Sequence, residues 1–331
     1  MREPAFWWRP AGLAATALSP IATIYGAIAA SRMRRPGVAT SVPVICIGNF
    51  TLGGSGKTPT VLALATWLRR VGRKPVLLSR GYGGALAGPV KVDLAVHDAA
   101  QVGDEALLLA QAAPTIVARD RAAGAALARE AGADLIVMDD GLQNSALRKT
   151  LSIAVLDGTR GIGNGKAFPA GPLRAPLAAQ LDRTDALLVI GDGPAATPVI
   201  AVAQAQGRPV FHGRLVPDQC AVAALGGRGV LAFAGIGNPA RFFQMLRDAG
   251  IDVAQHAAFP DHYRYSADEA GDLIMRAEHD GLRLVTTAKD RARMSGDPSL
   301  DALAQRAHVL PVELKIDDND AWQAMMLRAI G

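Results

Sequence analysis

The sequence predicts an α/β fold, a mostly parallel sheet with helices on both faces, plus a smaller α/β lobe joined to it by a two-strand tether. Three observations predict this. Short apolar runs alternate with helical patterns over most of the 331 residues, the signature of strands crossing over through helices. The first strong run breaks into a Gly-rich loop that opens a helix. A second, shorter series starts near Phe211–Pro217, and Val309 to Ile316 runs back as if to pair with it. The expected segments are a membrane-associating helix at 1–35, a core at 36–212, a smaller lobe at 213–314 and a C-terminal helix at 315–331.

At the N-terminus, Ala11 to Ser31 carries no charge and is bracketed by Arg9 and by Arg32, Arg34 and Arg35. A secretory signal, a membrane span and a helix lying in the membrane surface compete for it. Phe6-Trp7-Trp8 ahead of the run argues against a signal, and the Ala, Thr, Gly and Ser content with Pro20 in the middle argues against a span. Leu18, Ile21, Tyr25 and Ile28 recur at helical spacing, and Trp7, Trp8 and the arginines suit the headgroup layer. A surface helix is the expectation, with packing on the protein's own core as the plain alternative.

Val42 to Ile47 reads as a buried strand, followed by Gly48-Asn49-Phe50-Thr51-Leu52-Gly53-Gly54-Ser55-Gly56-Lys57-Thr58 and then by Val61, Leu62, Leu64, Ala65 and Leu68 on a helix. This is the context of a phosphate-binding loop, which makes the core P-loop NTPase-like. Glycines at 53, 54 and 56 let backbone N–H groups approach phosphate oxygens, and the helix N-terminus adds its dipole. Residues Thr51 to Thr58 are therefore expected to hold a nucleoside triphosphate, with Lys57 on the β/γ-phosphates and Thr58 on Mg²⁺. The first glycine of the usual pattern is replaced by Thr51.

Further strands are expected at Val76–Ser79, Thr115–Ala118, Leu135–Met138, Ile153–Leu156 and Leu187–Ile190, with helices at Asp104–Gln111 and Arg121–Ala131. Ligands on such sheets gather at the carboxyl ends of the strands. The loops after Ile47, Ser79, Met138 and Leu156 should thus meet around the nucleotide. Asp139-Asp140 at a strand end has the form of a Mg²⁺-holding acidic pair, and Gln143 follows within reach of metal-bound water or phosphate. In the smaller lobe, Val230–Ala234 and Leu282–Thr286 read as strands, and Ser266 to Glu269 as a capping box.

Among candidate catalytic groups, Gly103-Asp104-Glu105 supports two readings equally. It is a helix start favoured by the dipole, or Asp104 is a general base with Glu105 supporting the metal. His262 in Pro260-Asp261-His262-Tyr263 would meet Asp104 if the lobes close. Arg174, in a rigid Gly-Pro-Leu-Arg loop, is placed to stabilise transferred phosphoryl charge. Arg119 and Arg121 either contact an acceptor phosphate or form the solvated start of a helix.

Half the residues are hydrophobic, few are aromatic, and the net charge is +5. A basic surface suits nucleic acid or anionic lipid. No dense Lys/Arg run with interleaved aromatics and no zinc spacing occurs, which disfavours nucleic acid. No obligate protein partner is evident. Cys46 and Cys220 are far apart, so buried and reduced is the expectation for Cys46.

The ordered set Gly-Asn-Phe-Thr-Leu-Gly-Gly-Ser-Gly-Lys-Thr-Pro, Leu-Ser-Arg-Gly-Tyr-Gly, Val-Gly-Asp-Glu, Val-Ala-Arg-Asp-Arg, Asp-Asp-Gly-Leu-Gln, Gly-Pro-Leu-Arg, Phe-Pro-Asp-His-Tyr and Thr-Thr-Ala-Lys-Asp runs from Ile45 to Asp290. It resembles the tetraacyldisaccharide 4′-kinase family. The resemblance implies transfer of the ATP γ-phosphate, with Mg²⁺, to the 4′-hydroxyl of a lipid disaccharide 1-phosphate on the cytoplasmic face of the bacterial inner membrane. It favours Asp104 and His262 as the acceptor-activating pair and implies substrate contacts at Asn49, Arg80, Tyr82, Arg119, Arg121 and Gln143. It assigns no role to Lys289, and Asn144 departs from the family pattern. Two other readings stand beside it: a membrane-associated ATPase switch, and a nucleotide-retaining membrane module without catalysis.

Overall fold

Residues 3–331 are described by a computed structural model of the chain. The larger sheet contains β1 (Val44–Gly48), β2 (Pro75–Ser79), β3 (Val90–Lys91), β4 (Thr115–Val117), β5 (Leu135–Asp139), β6 (Leu151–Asp157), β7 (Ala186–Ile190) and β8 (Val210–Pro217). The smaller one contains β9 (Val230–Ala234), β10 (Val253–Ala258), β11 (Arg283–Thr286) and β12 (His308–Val309), and the chain then returns to the larger sheet as β13 (Val312–Ile316). The spatial orders are β13-β8-β7-β6-β1-β5-β2-β4-β3 and β10-β9-β11-β12. Pairing is parallel except at the two outer edges of the large sheet, β3 on β4 and β13 on β8. The neighbours β6, β1, β5 and β2 all run the same way, so the loops that follow them leave from one edge.

Alternation along β1 explains the two-faced core. Ile45 and Ile47 point to one side, against Val61, Leu64 and Leu68 of the helix Lys57–Arg70 and Trp322, Met325 and Met326 of the last helix, Asn319–Ile330. Val44 and Cys46 point to the other, against Ala125 and Ala128 of the helix Arg121–Glu130. Cys46 is a free, buried thiol, as expected. Each fully buried Leu or Ile contributes about 1.5–3 kcal/mol. The helix Lys57–Arg70 buries the 61, 64, 65 and 68 positions, an i, i+3, i+4, i+7 stripe. Arg69 and Arg70 complement its C-terminal dipole, and Gly72, at φ 81°, turns the chain away from it.

The return strand differs from the single run expected at 309–316. Pro311 cannot donate to a ladder, and the run divides there. His308–Val309 completes the small sheet beside β11, while Val312–Ile316 pairs antiparallel with β8, from Val312 opposite Pro217 to Ile316 opposite Gly213. The smaller unit therefore hangs on two adjacent antiparallel strands. β10 escapes the sequence because its Ala-Gln-His-Ala-Ala pattern is half exposed, as an edge strand permits. The Ser266 capping box is present in both directions, side chain to Glu269 amide and Glu269 side chain to Ser266 amide.

The N-terminal helix spans Leu13–Met33. It packs through small residues, Ala15, Ala22, Gly26 and Ala30, with Met33, and a Cβ at Gly26 would stand 3.2 Å from Pro176. Its large apolar residues Leu13, Ile21, Ile24, Tyr25 and Ile28 are exposed instead. The tryptophans correct the expectation of headgroup anchors. Trp7 is buried and donates to Pro169 O at 3.0 Å, and Trp8 donates to Glu3 at 2.9 Å under the Arg160 guanidinium, 3.6 Å from its ring. An indole N–H needs an acceptor when buried, and the protein supplies both.

Candidate active site

The phosphate loop is shaped by Gly56, which caps the helix Lys57–Arg70 at φ 96°, a left-handed conformation where any Cβ would also stand 2.6 Å from Ile190 Cδ1. Lys57 begins that helix, and Thr58 follows it. The small unit reaches this loop directly: a Cβ on Gly237 would fall 2.3 Å from the Gly54 amide nitrogen.

Two residues of the expected set brace the loop, with Gln180 behind them. Asn49 is fully buried and donates to Gly53 O at 3.3 Å. Gln143 donates to Asn49 O at 2.7 Å and to Gln180 Oε1 at 2.6 Å, and Gln180 in turn donates to Phe50 O and Ala175 O. Buried carbonyls need such donors, and Asn49 and Gln143 supply them here, with Asn49 Oδ1 left without a partner. The Leu52 amide is also engaged, donating to Pro172 O at 2.8 Å.

At the end of β5, Asp140 takes φ 50°. Among the described residues only it and His262, at φ 56°, are non-glycines in the left-handed region. Such backbone costs on the order of 1–3 kcal/mol and collects at functional sites. The Arg174 guanidinium donates to both Asp140 oxygens at 2.9 Å and to Thr51 O at 2.9 Å, and Lys57 Nζ lies 3.6 Å from Asp140 Oδ1. Burial pushes the Asp140 carboxyl up, but Arg174 and Lys57 hold it well below the usual carboxylate range. Burial lowers the Lys57 amine, with Asp140 opposing.

Asp139 is the contrary case. Burial, then the charges of Glu105 and Asp140, push its carboxyl up to about 7, and its Oδ1 is buried without a partner. A carboxylate enclosed among carboxylates with an unpaired oxygen fits a divalent cation. Among the described residues no three His, Cys, Asp or Glu side chains could hold a metal alone. Mg²⁺ in P-loop enzymes needs only one or two carboxylates beside the loop threonine and nucleotide phosphates. The donor set Thr58, Asp139 and Asp140 therefore fits, with Glu105 close enough for its charge to act on both Asp139 and Lys57.

Arg121 is neither a solvated helix start nor exposed to an acceptor. It is buried, donates to Ala118 O at 2.6 Å and to Asp139 O at 3.5 Å, and lies near enough for the charges of Asp139 and Asp140 to act on it. Arg119 is exposed and donates to Gly84 O and Ala85 O, and Arg80 is exposed.

The second half of the site joins the two sheets. Asp104 opens the helix Asp104–Ala110 and is buried. His262 Nδ1 lies 3.2 Å from both its oxygens. Arg293 donates to Asp104 Oδ2 from Nε at 3.0 Å and Nη2 at 2.5 Å, and the Glu105 amide donates to Oδ1 at 2.9 Å. Burial alone would raise this carboxyl; His262, Lys289 and Arg293 together hold it far below the usual range. Lys289 Nζ donates to Glu105 Oε1 at 2.9 Å. The Tyr82 ring sits 4.9 Å from the His262 ring, and a cavity of about 240 Å³ beside the pair is lined by Tyr82, Asp104, His262, Arg264 and Arg293.

Arg293 and Lys289 lie outside the site residues expected from the sequence. Their signal was spacing: four apart on the helix Ala288–Met294, they share the face that meets Asp104 and Glu105.

A phosphate loop, an acidic strand end with an unsatisfied oxygen, and an acid–imidazole pair across a cleft define a P-loop phosphotransferase. The comparisons narrow the class. The LpxK family model, tetraacyldisaccharide-1-P 4′-kinase, matches residues 14–331. The tetraacyldisaccharide 4′-kinase of Nitrobacter winogradskyi is 54% identical over 330 residues, covering 100% of this chain and 98% of the relative. That of Methylobacterium sp. strain 4-46 is 58% identical over 322 residues, covering 97% and 95%. A crystal structure of LpxK from Aquifex aeolicus in complex with ATP superposes with a TM-score of 0.74 at 26% identity, covering 96% of this chain and 99% of that one. The chain belongs to the tetraacyldisaccharide-1-P 4′-kinase family.

Proposed function

We propose that Asp104 and His262 activate the acceptor in the reaction the chain's family performs. That reaction is ATP-dependent phosphorylation of a tetraacyldisaccharide 1-phosphate at its 4′-hydroxyl, a step of lipid A synthesis. The observation that carries the assignment is the contact of His262 Nδ1 with both Asp104 oxygens.

The acceptor oxygen forms a bond to the γ-phosphorus, the bond from that phosphorus to the β,γ-bridging oxygen breaks, and the hydroxyl proton passes to the Asp104 carboxylate. A carboxylate held this far below its usual range is a weak base. Phosphoryl transfer runs through a loose transition state and asks little basicity of it. Its larger contribution is to orient the hydroxyl. Lys57 and Arg174 supply positive charge where the transferred group carries its negative charge. A bound Mg²⁺, held by Thr58 with Asp139 and Asp140, would neutralise phosphate charge. Asp104→Asn keeps the shape and removes the acceptor of the proton. ATP binding with collapsed turnover is the expected result, and turnover near that of the unaltered protein would remove Asp104 from the mechanism.

The helix Leu13–Met33 seats the enzyme on the membrane in this reading, on the cytoplasmic face where ATP is available. It is long and apolar enough to cross a bilayer by composition. Its small-residue face, however, is packed on the protein and its bulky face is open, which supports lying in the interface with Arg32, Arg34 and Arg35 at the headgroups. The lipid acceptor would then reach the cleft from the membrane plane.

A further inference from the structure

Lys289 is enclosed at the meeting of the two units. Its side chain is 17% exposed and its ammonium has three neighbours: Glu105 Oε1 at 2.9 Å, His262 Nε2 at 3.4 Å and Asp261 Oδ1 at 3.9 Å. Burial opposes its charge, yet Glu105, Asp261 and Asp104 hold the amine protonated well above the usual lysine range.

An ammonium offers three donors and no acceptor. His262 Nε2 must therefore face it with the lone pair, which leaves the ring proton on Nδ1, toward the two Asp104 oxygens. In the opposite tautomer an N–H would point at an ammonium and a lone pair at a carboxylate, both repulsive. The His262 backbone amide donates to Gly235 O at 3.1 Å and the Tyr82 ring, inclined at 58°, lies 4.9 Å from the imidazole, so backbone and ring contact both limit how the imidazole can turn.

We propose that Lys289 is a positioning residue for the transfer: its ammonium fixes the proton of the pair on His262 Nδ1 and leaves Asp104 as the carboxylate that receives the acceptor's proton. This rests on the reading of Asp104 and His262 as the activating pair. Without the cation, Asp104 still favours the proton on Nδ1, but the Asp261 carboxylate, with Oδ1 3.9 Å from Nε2, favours it on Nε2, and the ring is shared between the two tautomers. In the Nε2-protonated tautomer Nδ1 turns a lone pair on Asp104, and the carboxylate loses the hydrogen bond that orients it for the acceptor's hydroxyl.

The test uses the full chain labelled with nitrogen-15 histidine, as the unaltered protein, Lys289→Gln and Lys289→Arg, with His262→Asn to assign the ring signals. In the nucleotide-free unaltered protein the His262 nitrogens should show a protonated Nδ1 and a lone pair on Nε2. Lys289→Gln should move them toward the other tautomer and lower kcat about 10- to 100-fold, part of what a positioned base supplies, with KM for ATP little changed. Lys289→Arg keeps a charged donor and should restore the tautomer and most of kcat; it reports even where Lys289→Gln is unstable. Unchanged His262 signals in Lys289→Gln, or shifted signals with unchanged kcat, would overturn the proposal. Full turnover in Asp104→Asn would instead show that the underlying reading of the pair had failed.

Discussion

His262 Nδ1 stands 3.2 Å from each carboxylate oxygen of Asp104, although the two residues are 158 positions apart, Asp104 at the start of a helix and His262 in a turn of the smaller unit. The helix Ala288–Met294 brings Arg293 to the same carboxylate, so the smaller unit is clamped to the larger one at the residue assigned to the acceptor. If His262 serves Asp104 alone, His262→Ala and Asp104→Asn should not add. Each should lower kcat by about 100-fold or more, and the double variant by little beyond the worse single one. Steady-state kinetics of the four proteins decides it, and additive losses would mean independent roles.

The Arg293–Asp104 pair is buried on both sides, with side chains 5% and 4% exposed. Removing one partner of such a pair leaves an uncompensated charge and costs about 3–5 kcal/mol. Arg293→Met should therefore unfold at lower urea concentration at neutral pH. Because the Asp104 carboxyl is held below its unfolded value, its share of stability is complete above that ordinary value of about 4 and fades as pH falls below it. The gap between the unaltered protein and Arg293→Met should narrow in the same window.

Arg174 grips Asp140 with two hydrogen bonds from one nitrogen and anchors to Thr51 O with another. A lysine cannot reproduce that fork. Arg174→Lys should keep ATP affinity within a few-fold and lower kcat about 10-fold or more, as measured by transfer of labelled γ-phosphate.

Gln180 donates to Phe50 O and Ala175 O and accepts from Gln143, tying the phosphate loop to the loop that carries Arg174. Gln180→Leu strands buried carbonyls at about 1–3 kcal/mol each. Expected are a lower melting temperature and a raised KM for ATP, both readable without the lipid.

The N-terminal helix and the tryptophans before it should separate cleanly. Ile21→Glu with Ile24→Glu places charge on the exposed face and should abolish flotation with anionic vesicles at unchanged melting temperature. Trp7→Ala empties a buried site and should cost about 3–5 kcal/mol of stability while leaving flotation intact.

Much of the site was legible because it is local. A strand, a Gly-rich turn and Lys57-Thr58 carry their meaning within a few residues, and Asp139-Asp140 ends a strand in the same way. Arg293 was legible only as one of two cations four apart on a helix; its partner lies 189 positions away, and the spacing does not say which carboxylate it meets. Asn49 and Gln143 read as contacts because polar loop residues do; only the packed loop shows that both donate to carbonyls within the protein. Trp7 and Trp8 misled for a related reason. Aromatics beside an apolar run suit a headgroup layer, but Pro169 O and Glu3 offer acceptors that the sequence cannot place nearby.

The most direct measurement is a crystal structure with a non-hydrolysable ATP analogue, Mg²⁺ and the lipid disaccharide. The account predicts the 4′-oxygen in hydrogen-bond reach of Asp104, with His262 on the far side of that carboxylate and the γ-phosphorus in line with the oxygen. An acceptor oxygen seated away from Asp104, with the carboxylate still enclosed by Arg293 and His262, would contradict it.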